Sequence, residues 1–166
     1  IVALNRHTGD VIWTSAAKGE KPAFNSPRLI ERKGNQILVT YSKENFLGLD
    51  AKTGKLLWSE SFKAKYPNHA NTVLYEDGAI YTAAPIGHGV LKYDLSDDGS
   101  SITKVWQDTL VKNYFGGMIK LDNKLYISVG GKSKNLVILD ANTGMIKDSV
   151  ETGSGSVIYA DGMLYT

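Results

Sequence analysis

Apolar and polar residues alternate along most of the chain, which is the pattern of strands that bury one face. β-Branched and aromatic residues are frequent in these runs, and no segment carries apolar residues at helical spacing over three turns. In one stretch the alternation predicts four strands, at residues 27–31, 37–42, 46–50 and 56–62. The pattern therefore predicts an all-β fold built from short strands.

The arrangement of strands and turns repeats with a period of about 45 residues. The dipeptide Thr-Gly recurs in steps of 45 and 90 residues, at Thr8-Gly9, Thr53-Gly54 and Thr143-Gly144. A polar residue three positions before each Thr-Gly recurs with the same period, at Asn5, Asp50 and Asp140. Asp94 occupies the equivalent position in the unit between the last two. One four-stranded sheet cannot bury both of its faces alone, so repeated sheets must stack. We therefore predict a β-propeller of four-stranded antiparallel blades.

A polar residue also opens the second strand of each unit. It lies three residues before an apolar position, at Asn35, Asp77, Asp122 and Asp161. Residues of this kind favour tight turns, so we expect each of them in the turn of a hairpin.

About four blades' worth of strands is present, in a single propeller segment over residues 1–166. We expect two strands of an incomplete blade at 1–18, blades at 19–62, 63–109 and 110–151, and two strands of a further blade at 152–166. The end strands could pair to close a four-bladed ring, or the chain could be an arc of a seven- or eight-bladed ring. We favour the arc, because the sequence lacks the tighter taper and the disulfide or metal staples expected of so small a ring.

The turn motif is most complete in residues 48–58. The carboxylate of Asp50 can accept hydrogen bonds from backbone N–H groups two or three residues on, and Gly54 supplies a positive φ. Trp58 then lies on the outgoing strand, four residues past the glycine. Other copies of the motif carry Thr8, Gly9, Trp13, Trp106, Asp140, Thr143 and Gly144.

This motif resembles the repeat of the pyrroloquinoline-quinone-like (PQQ-like) propeller family. That family includes quinoprotein dehydrogenases and the non-enzymatic lipoprotein of outer-membrane β-barrel assembly. The chain departs from the pattern at several positions: Asn5 replaces Asp, Lys92 and Ile138 replace the small residue, Asp148 replaces Trp, and Trp106 follows an insertion of three residues. The resemblance implies that Trp13, Trp58 and Trp106 pack between neighbouring blades. The alternative for any one of them is stacking on a ligand.

Composition adds few restrictions. The chain has 166 residues, no cysteine and a formal net charge of +2, from 19 Lys and Arg against 17 Asp and Glu. Disulfides and thiolate metal sites are therefore excluded within it. A small charge with interspersed signs does not predict nucleic-acid binding, and no apolar run is long enough to predict a membrane span.

Residues with reactive side chains do not form a recognisable catalytic set. His7, His69 and His88 are scattered, and we expect them to be surface histidines. We expect Asp97 and Asp98 to form the turn of an expanded hairpin, and residues 130–133 to be a hairpin rather than a phosphate-binding loop. The sequence predicts no catalytic, cofactor-binding or metal-binding residue in this segment.

The loops that lead into the inner strands, and those that join second and third strands, meet at one face of a propeller. Such loops usually carry function. Their side chains that could contact a peptide or sugar are Asn25, Lys43, Glu44, Tyr66, His69, Asn71, His88, Asn113, Tyr114 and Lys132.

Three functions are open. The first is a non-catalytic scaffold that binds a protein partner or a small extracytoplasmic ligand through these loops or a blade edge. The second, which the family resemblance implies, is a fragment of a PQQ- and calcium-dependent alcohol or sugar dehydrogenase; the cysteine pair and calcium ligands of those enzymes are not found here. The third is a WD-like platform, but WD repeats carry Trp directly before the Asp, where this chain has Leu4, Leu49, Tyr93 and Leu139. The resemblance implies a periplasmic or cell-envelope location.

Overall fold

Sixteen strands form in the part of the chain that the computed structural model describes, which is residues 1–63, 69–84, 87–114, 116–130, 134–153 and 155–166. The strands are β1 (Val2–Leu4), β2 (Val11–Thr14), β3 (Arg28–Arg32), β4 (Asn35–Tyr41), β5 (Asn45–Asp50), β6 (Leu56–Ser61), β7 (Leu74–Glu76), β8 (Ala79–Ala84), β9 (Gly89–Leu95), β10 (Ile102–Asp108), β11 (Met118–Leu121), β12 (Lys124–Ser128), β13 (Asn135–Asp140), β14 (Ile146–Glu151), β15 (Ile158–Ala160) and β16 (Met163–Tyr165). The prediction of an all-β chain is confirmed.

The strands form antiparallel sheets in which every neighbour in space is also the neighbour in sequence. Three sheets have four strands each, β3 to β6, β7 to β10 and β11 to β14, and two sheets have two strands, β1–β2 and β15–β16. Four-stranded meanders of this kind are the blades of a propeller. The predicted fold class is therefore confirmed.

Neighbouring four-stranded sheets pack face to face and share a core. One buried cluster joins the first two of these sheets around Ile37, Phe46 and Tyr93. A second cluster joins the second and third sheets around Val90 and Leu125. Because the middle sheet, β7 to β10, contributes apolar residues to both clusters, its stability depends on the sheets on either side of it.

The β3–β4 hairpin is longer than predicted, and its turn is displaced. Asn35 lies within β4 and pairs with Arg32, so the expectation of a turn residue there is wrong. The turn is Lys33-Gly34, with positive φ at both residues. Ile37 and Ala79 occupy equivalent positions, because each pairs with an aspartate of the next strand, Asp50 or Asp94. Ala79 directly follows its turn, but two further residues separate Ile37 from its turn. The two additional residue pairs extend the β3–β4 hairpin, so that Arg32 reaches Asp97 of the neighbouring sheet.

Two tryptophans bind the turn of the following sheet. Trp13 Nε1 donates to the Ala51 carbonyl at 3.0 Å, and Trp106 Nε1 donates to the Ala141 carbonyl at 3.1 Å. Each indole ring also lies against the turn glycine, Gly54 or Gly144, so closely that a Cβ on the glycine would collide with it. These indoles therefore lie between adjacent sheets.

Trp58 differs from the other two. It is buried, but its Nε1 has no hydrogen-bond partner, and its ring lies against Gly48 of its own sheet. The corresponding turn of the next sheet is the expanded one at residues 96–101, and its Gly99 lies against Ile37 rather than Trp58. The sequence motif therefore does not produce the same contact at all three tryptophans.

The expanded turn is held by its aspartates. Asp98 accepts hydrogen bonds from Ser96 Oγ and from the Ser100 N–H and hydroxyl, which lower the pKa of Asp98 to about 2. Asp97 pairs with Arg32 of the long β3–β4 hairpin at 2.6 Å. The two inserted acidic residues thus form the turn and tie it to the preceding sheet.

Candidate functional site on the rim face

Because the strands of each sheet alternate in direction, successive connections lie at opposite ends of the strands. The longer loops are at one end, and the shorter turns are at the other. We call the first end the rim face. Its described residues are 15–27, 42–44, 62–63, 69–73, 87–88, 109–114, 116–117, 129–130, 134, 152–153 and 155–157. We call the other end the turn face. Its described turns are 5–10, 33–34, 51–55, 77–78, 96–101, 122–123, 141–145 and 161–162.

Asparagines hold three of the loops that lead into inner strands. Asn25 Nδ2 donates to Thr40 Oγ1 at 3.2 Å, and Asn113 Nδ2 donates to the Ser128 carbonyl at 3.0 Å. Asn71 Nδ2 lies 3.2 Å from both the Ala83 carbonyl and the Asn113 carbonyl. Asn71 thereby connects the loops of two neighbouring sheets.

These positions differ from the sequence expectation of exposed contact residues. Asn71 and Asn113 are only 3% and 1% exposed. Their Oδ1 atoms have no hydrogen-bond partner, and their amide donors are directed to backbone carbonyls within the rim face. They support the rim loops from inside rather than contact a ligand from the surface.

His69 is also buried, so the expectation of a surface histidine is wrong for this residue. It is 1% exposed, stacks on Tyr41 with ring centroids 5.0 Å apart, and meets the edge of Phe62. Its Nε2 lies 3.3 Å from the Lys43 carbonyl. Burial lowers the pKa of His69 below its ordinary value, which favours the neutral imidazole.

His88 holds a second pair of loops together. Its Nε2 lies 2.8 Å from the Lys63 carbonyl, and its ring stacks on Phe62 with centroids 4.1 Å apart. Phe62 therefore contacts both histidines, which come from different loops. His7 lies in an exposed turn on the turn face.

Glu20 organises the loop between β4 and β5. Its carboxylate accepts hydrogen bonds from Ser42 Oγ at 2.5 Å, from the Glu44 N–H at 2.9 Å, and from Asn45 Nδ2. The Ser42 hydrogen bond, with help from the other two donors, lowers the pKa of the Glu20 carboxyl below its usual value. Sequence reasoning missed Glu20, because its partners lie more than twenty residues away and no local pattern marks them.

A cavity of about 370 Å³ opens beside Glu20. Lys18, Asn25, Tyr41 and Leu47 are among the residues that line it, so the lining is apolar with a few polar groups. Small pockets of this composition on loop-bearing faces are common ligand or peptide sites.

Among the described residues of the rim face, two large apolar side chains are exposed. Phe24 is 76% exposed and Leu110 is 74% exposed, and sequence reasoning missed both. For Phe24 the available signal was a large aromatic residue among small and polar loop residues, whereas Leu110 precedes the buried Val111 and carried no such signal. Lys43 is exposed and Tyr114 is half-buried, while Tyr66 and Lys132 lie outside the described residues.

Across the described ranges, no three His, Asp or Glu side chains are grouped so that they could hold a metal ion. No helix with the length and apolar character needed to cross a membrane occurs in the described part.

Comparison with protein families gives a match over most of the chain. The sequence profile described as outer membrane protein assembly factor BamB matches residues 1–150. A search of curated protein sequences found no match.

Solved structures with the same fold include BamB from Moraxella catarrhalis. It is 20% identical, with a TM-score of 0.66 over 99% of this chain and 50% of that chain. Quinohemoprotein alcohol dehydrogenase from Comamonas testosteroni is 16% identical, with a TM-score of 0.61 over 98% of this chain and 35% of that chain. The computationally designed Ika8 protein is 11% identical, with a TM-score of 0.60 over 98% of this chain and 48% of that chain. At these identities the likeness shows the fold, and the chain spans half or less of each of these structures.

Proposed function

Because the chain belongs to the family of the outer membrane protein assembly factor BamB, we propose that it is part of a non-catalytic propeller that binds a protein partner through its rim face. The family's description as an outer membrane protein assembly factor supports our proposal of a periplasmic or cell-envelope location. A second possibility within this proposal is that the cavity beside Glu20 binds a small extracytoplasmic ligand.

One observation carries this proposal: rim loops from different sheets are bonded to one another. Asn71 reaches the Asn113 carbonyl, and His88 reaches the Lys63 carbonyl. A surface that is ordered before binding loses less conformational entropy when a partner arrives. The rim face is therefore suited to recognition by a preformed surface.

Exposed apolar anchors support a protein partner in particular. Binding energy at protein interfaces is concentrated in a few large side chains that become buried. Phe24 and Leu110 are exposed on the rim face and can become buried only against another molecule or another part of the protein.

Site-specific photo-crosslinking in the intact protein, in its own cells, tests the proposal. A photoreactive amino acid is placed at Phe24 or Leu110, with Lys52 and Asn142 of the turn face as matched exposed controls. We expect a crosslinked protein partner from the rim positions and none from the controls. Crosslinks from the turn face alone, or no protein adduct from either face, would contradict the proposal.

The dehydrogenase alternative has weaker support. The structural likeness to a quinohemoprotein alcohol dehydrogenase is at 16% identity and shows the fold alone. Among the described residues no three His, Asp or Glu side chains are grouped so that they could hold a metal ion, so this part of the chain offers no observation that favours a calcium site. We derive no step through a quinone or a metal here.

A further inference from the structure

Charged side chains are distributed unequally between the two faces. In the described loops of the rim face the exposed cations are Lys18, Lys21, Lys43, Lys63, Lys112 and Lys134, and the carboxylates are Glu20 and Glu44. The strand ends beside these loops add Arg28, Asp108 and Glu151. The rim face is therefore basic, although the whole chain has a net charge of only +2.

The turn face has the opposite balance. Its described turns carry the carboxylates of Asp10, Asp77, Asp97, Asp98, Asp122 and Asp161, and the strand ends add Asp50, Glu76 and Asp140. The cations of the same turns and strand ends are Arg6, Arg32, Lys33, Lys52, Lys55 and Lys124. Two further lysines, Lys120 and Lys147, pair with Glu76 and Asp140 from within the strands. The small net charge thus hides a separation of charge across the molecule.

The carboxylates of the rim face are already engaged. Glu20 accepts three hydrogen bonds from Ser42, Asn45 and the Glu44 backbone. The Glu44 carboxylate lies 3.9 Å from Lys43 Nζ and 3.8 Å from Lys63 Nζ. Both acids are partly buried while the lysines extend into solvent, so an approaching molecule meets a positive surface.

Exposed apolar side chains stand next to these cations in the sequence. Lys21 comes three residues before Phe24, and Lys112 comes two residues after Leu110. The two loops belong to different sheets, and both present one large apolar group with one lysine close by. Phe24 also follows Ala23, which lines the cavity beside Glu20.

We infer that the rim face binds an acidic segment of a protein partner, with Asp or Glu side chains on the lysines and Leu- or Phe-type side chains against Phe24 and Leu110. This inference rests on the proposed function and names the chemistry of its partner. A phosphate polymer fits less well, since Glu44 lies between two of the lysines and repels a continuous row of phosphates. A peptide avoids this repulsion, because it can place a neutral residue there.

Fluorescence anisotropy with the intact protein tests the inference. The probe is a short fluorescein-labelled peptide of Glu and Asp with Leu and Phe anchors in a Ser and Gly background, and its control has Lys in place of Glu and Asp. The rim variant is Lys21→Glu with Lys112→Glu, and the matched turn-face variant is Lys52→Glu with Lys55→Glu. A second rim variant, Phe24→Ser, removes an anchor without changing charge. Circular dichroism verifies that each variant is folded.

We expect the acidic peptide to bind and its basic control not to bind. The rim charge variant should weaken binding at least about fivefold at low salt, and the turn-face variant should change it less than about twofold. Phe24→Ser should weaken binding as well, and added salt should weaken binding to the unaltered protein.

Several results would overturn the inference. One is an equal effect of the rim and turn-face variants on binding, and another is equal binding of the acidic and basic peptides. A third is binding of phosphatidylglycerol vesicles that depends on Lys21 and Lys112 as strongly as binding of the acidic peptide does. Rim crosslinks to a protein partner that the acidic peptide fails to displace would overturn this inference and leave the proposed function standing. An absence of rim crosslinks would instead overturn the proposed function.

Discussion

Trp13 Nε1 donates a hydrogen bond to the carbonyl of Ala51, 38 residues later in the chain, in the turn of the neighbouring sheet. Trp106 makes the same bond to Ala141, 35 residues later. Each pair joins the outer strand of one sheet to the turn of the next. The repeated motif therefore stacks neighbouring sheets through contacts at the turn face.

Substitution of the turn glycine should reveal how much the indole contact contributes. In Gly54→Ala the methyl group would lie 2.4 Å from the Trp13 ring, and φ at this position is +73°. Gly9→Ala is a matched control, since Gly9 has a similar φ of +79° but no neighbouring atom within 4 Å of its Cβ. We expect Gly9→Ala to lower the free energy of unfolding by about 1 kcal/mol through backbone strain. Gly54→Ala should lower it by a further 1–3 kcal/mol or so, measured by urea unfolding. Equal losses would show that Trp13 does not depend on Gly54.

Isosteric replacement of the indole N–H separates the three tryptophans. A benzothienylalanine at position 13 or 106 keeps the ring and removes the donor, so we expect a loss of about 1 kcal/mol in the free energy of unfolding. At position 58 the buried donor has no partner, so the same replacement should be neutral or stabilising. Thermal or urea unfolding of the three proteins provides the comparison. A loss at position 58 equal to that at position 13 would refute the difference between them.

The strands were predictable because alternation is a local signal. The four strands predicted at residues 27–31, 37–42, 46–50 and 56–62 lie within two residues of β3 to β6. The turn before β4 was misplaced, since a hairpin can lengthen by whole residue pairs without changing the alternation of its strands. The missing hydrogen bond of Trp58 Nε1 was also unpredictable, because the corresponding turn of the next sheet, at 96–101, is expanded and lies about forty residues away in the chain.

The rim face was located correctly as a set of loops but not in its details. The sequence marked Asn71, Asn113 and His69 as polar loop residues, which is the usual sign of exposure. Their burial arises from contacts between loops far apart in the chain, such as the 42-residue separation between Asn71 and Asn113. Phe24 and Glu20 were missed for the same reason, since exposure and hydrogen bonding depend on the assembled loops.

Protonation of His69 should weaken the rim face in mild acid. Its pKa is below the ordinary value in the folded protein, so the unfolded chain takes up the proton first as pH falls. The stabilisation is full above the ordinary histidine pKa of about 6.5 and is lost as pH falls through it toward the folded value. The charged and titratable groups near it are Lys43, Lys63, Glu44 and His88. The two lysines pair with the Glu44 carboxylate, and an electrostatic effect of His88 lowers the pKa of His69 further.

Variants at position 69 provide the measurement. We expect His69→Phe to show a smaller decrease in the free energy of unfolding between about pH 7.5 and pH 5.5 than the unaltered protein. His7→Phe, at an exposed position, should leave that decrease unchanged. If both variants keep the full decrease, His69 is not the group responsible.

Glu20 should produce a second pH dependence at lower pH. Its pKa is lowered from an ordinary value of about 4.5, so its contribution is full above that value and is lost as pH falls through the folded value. Glu20→Gln should destabilise the loop between β4 and β5 near neutral pH, and the difference from the unaltered protein should shrink below about pH 4. Hydrogen exchange at the Glu44 and Asn45 amides measures this directly, with Glu151→Gln as an exposed control. A difference that stays constant with pH would rule out a role for the carboxylate charge.

Lysine footprinting of the intact protein with and without its crosslinked partner tests the use of the rim face most directly. An amine-reactive acetylating reagent and mass spectrometry report the accessibility of each lysine. The account predicts that Lys18, Lys21 and Lys112 on the rim face become protected in the complex, while Lys52, Lys55 and Lys124 near the turn face stay reactive. Protection of the turn-face lysines with unchanged reactivity on the rim face would contradict it.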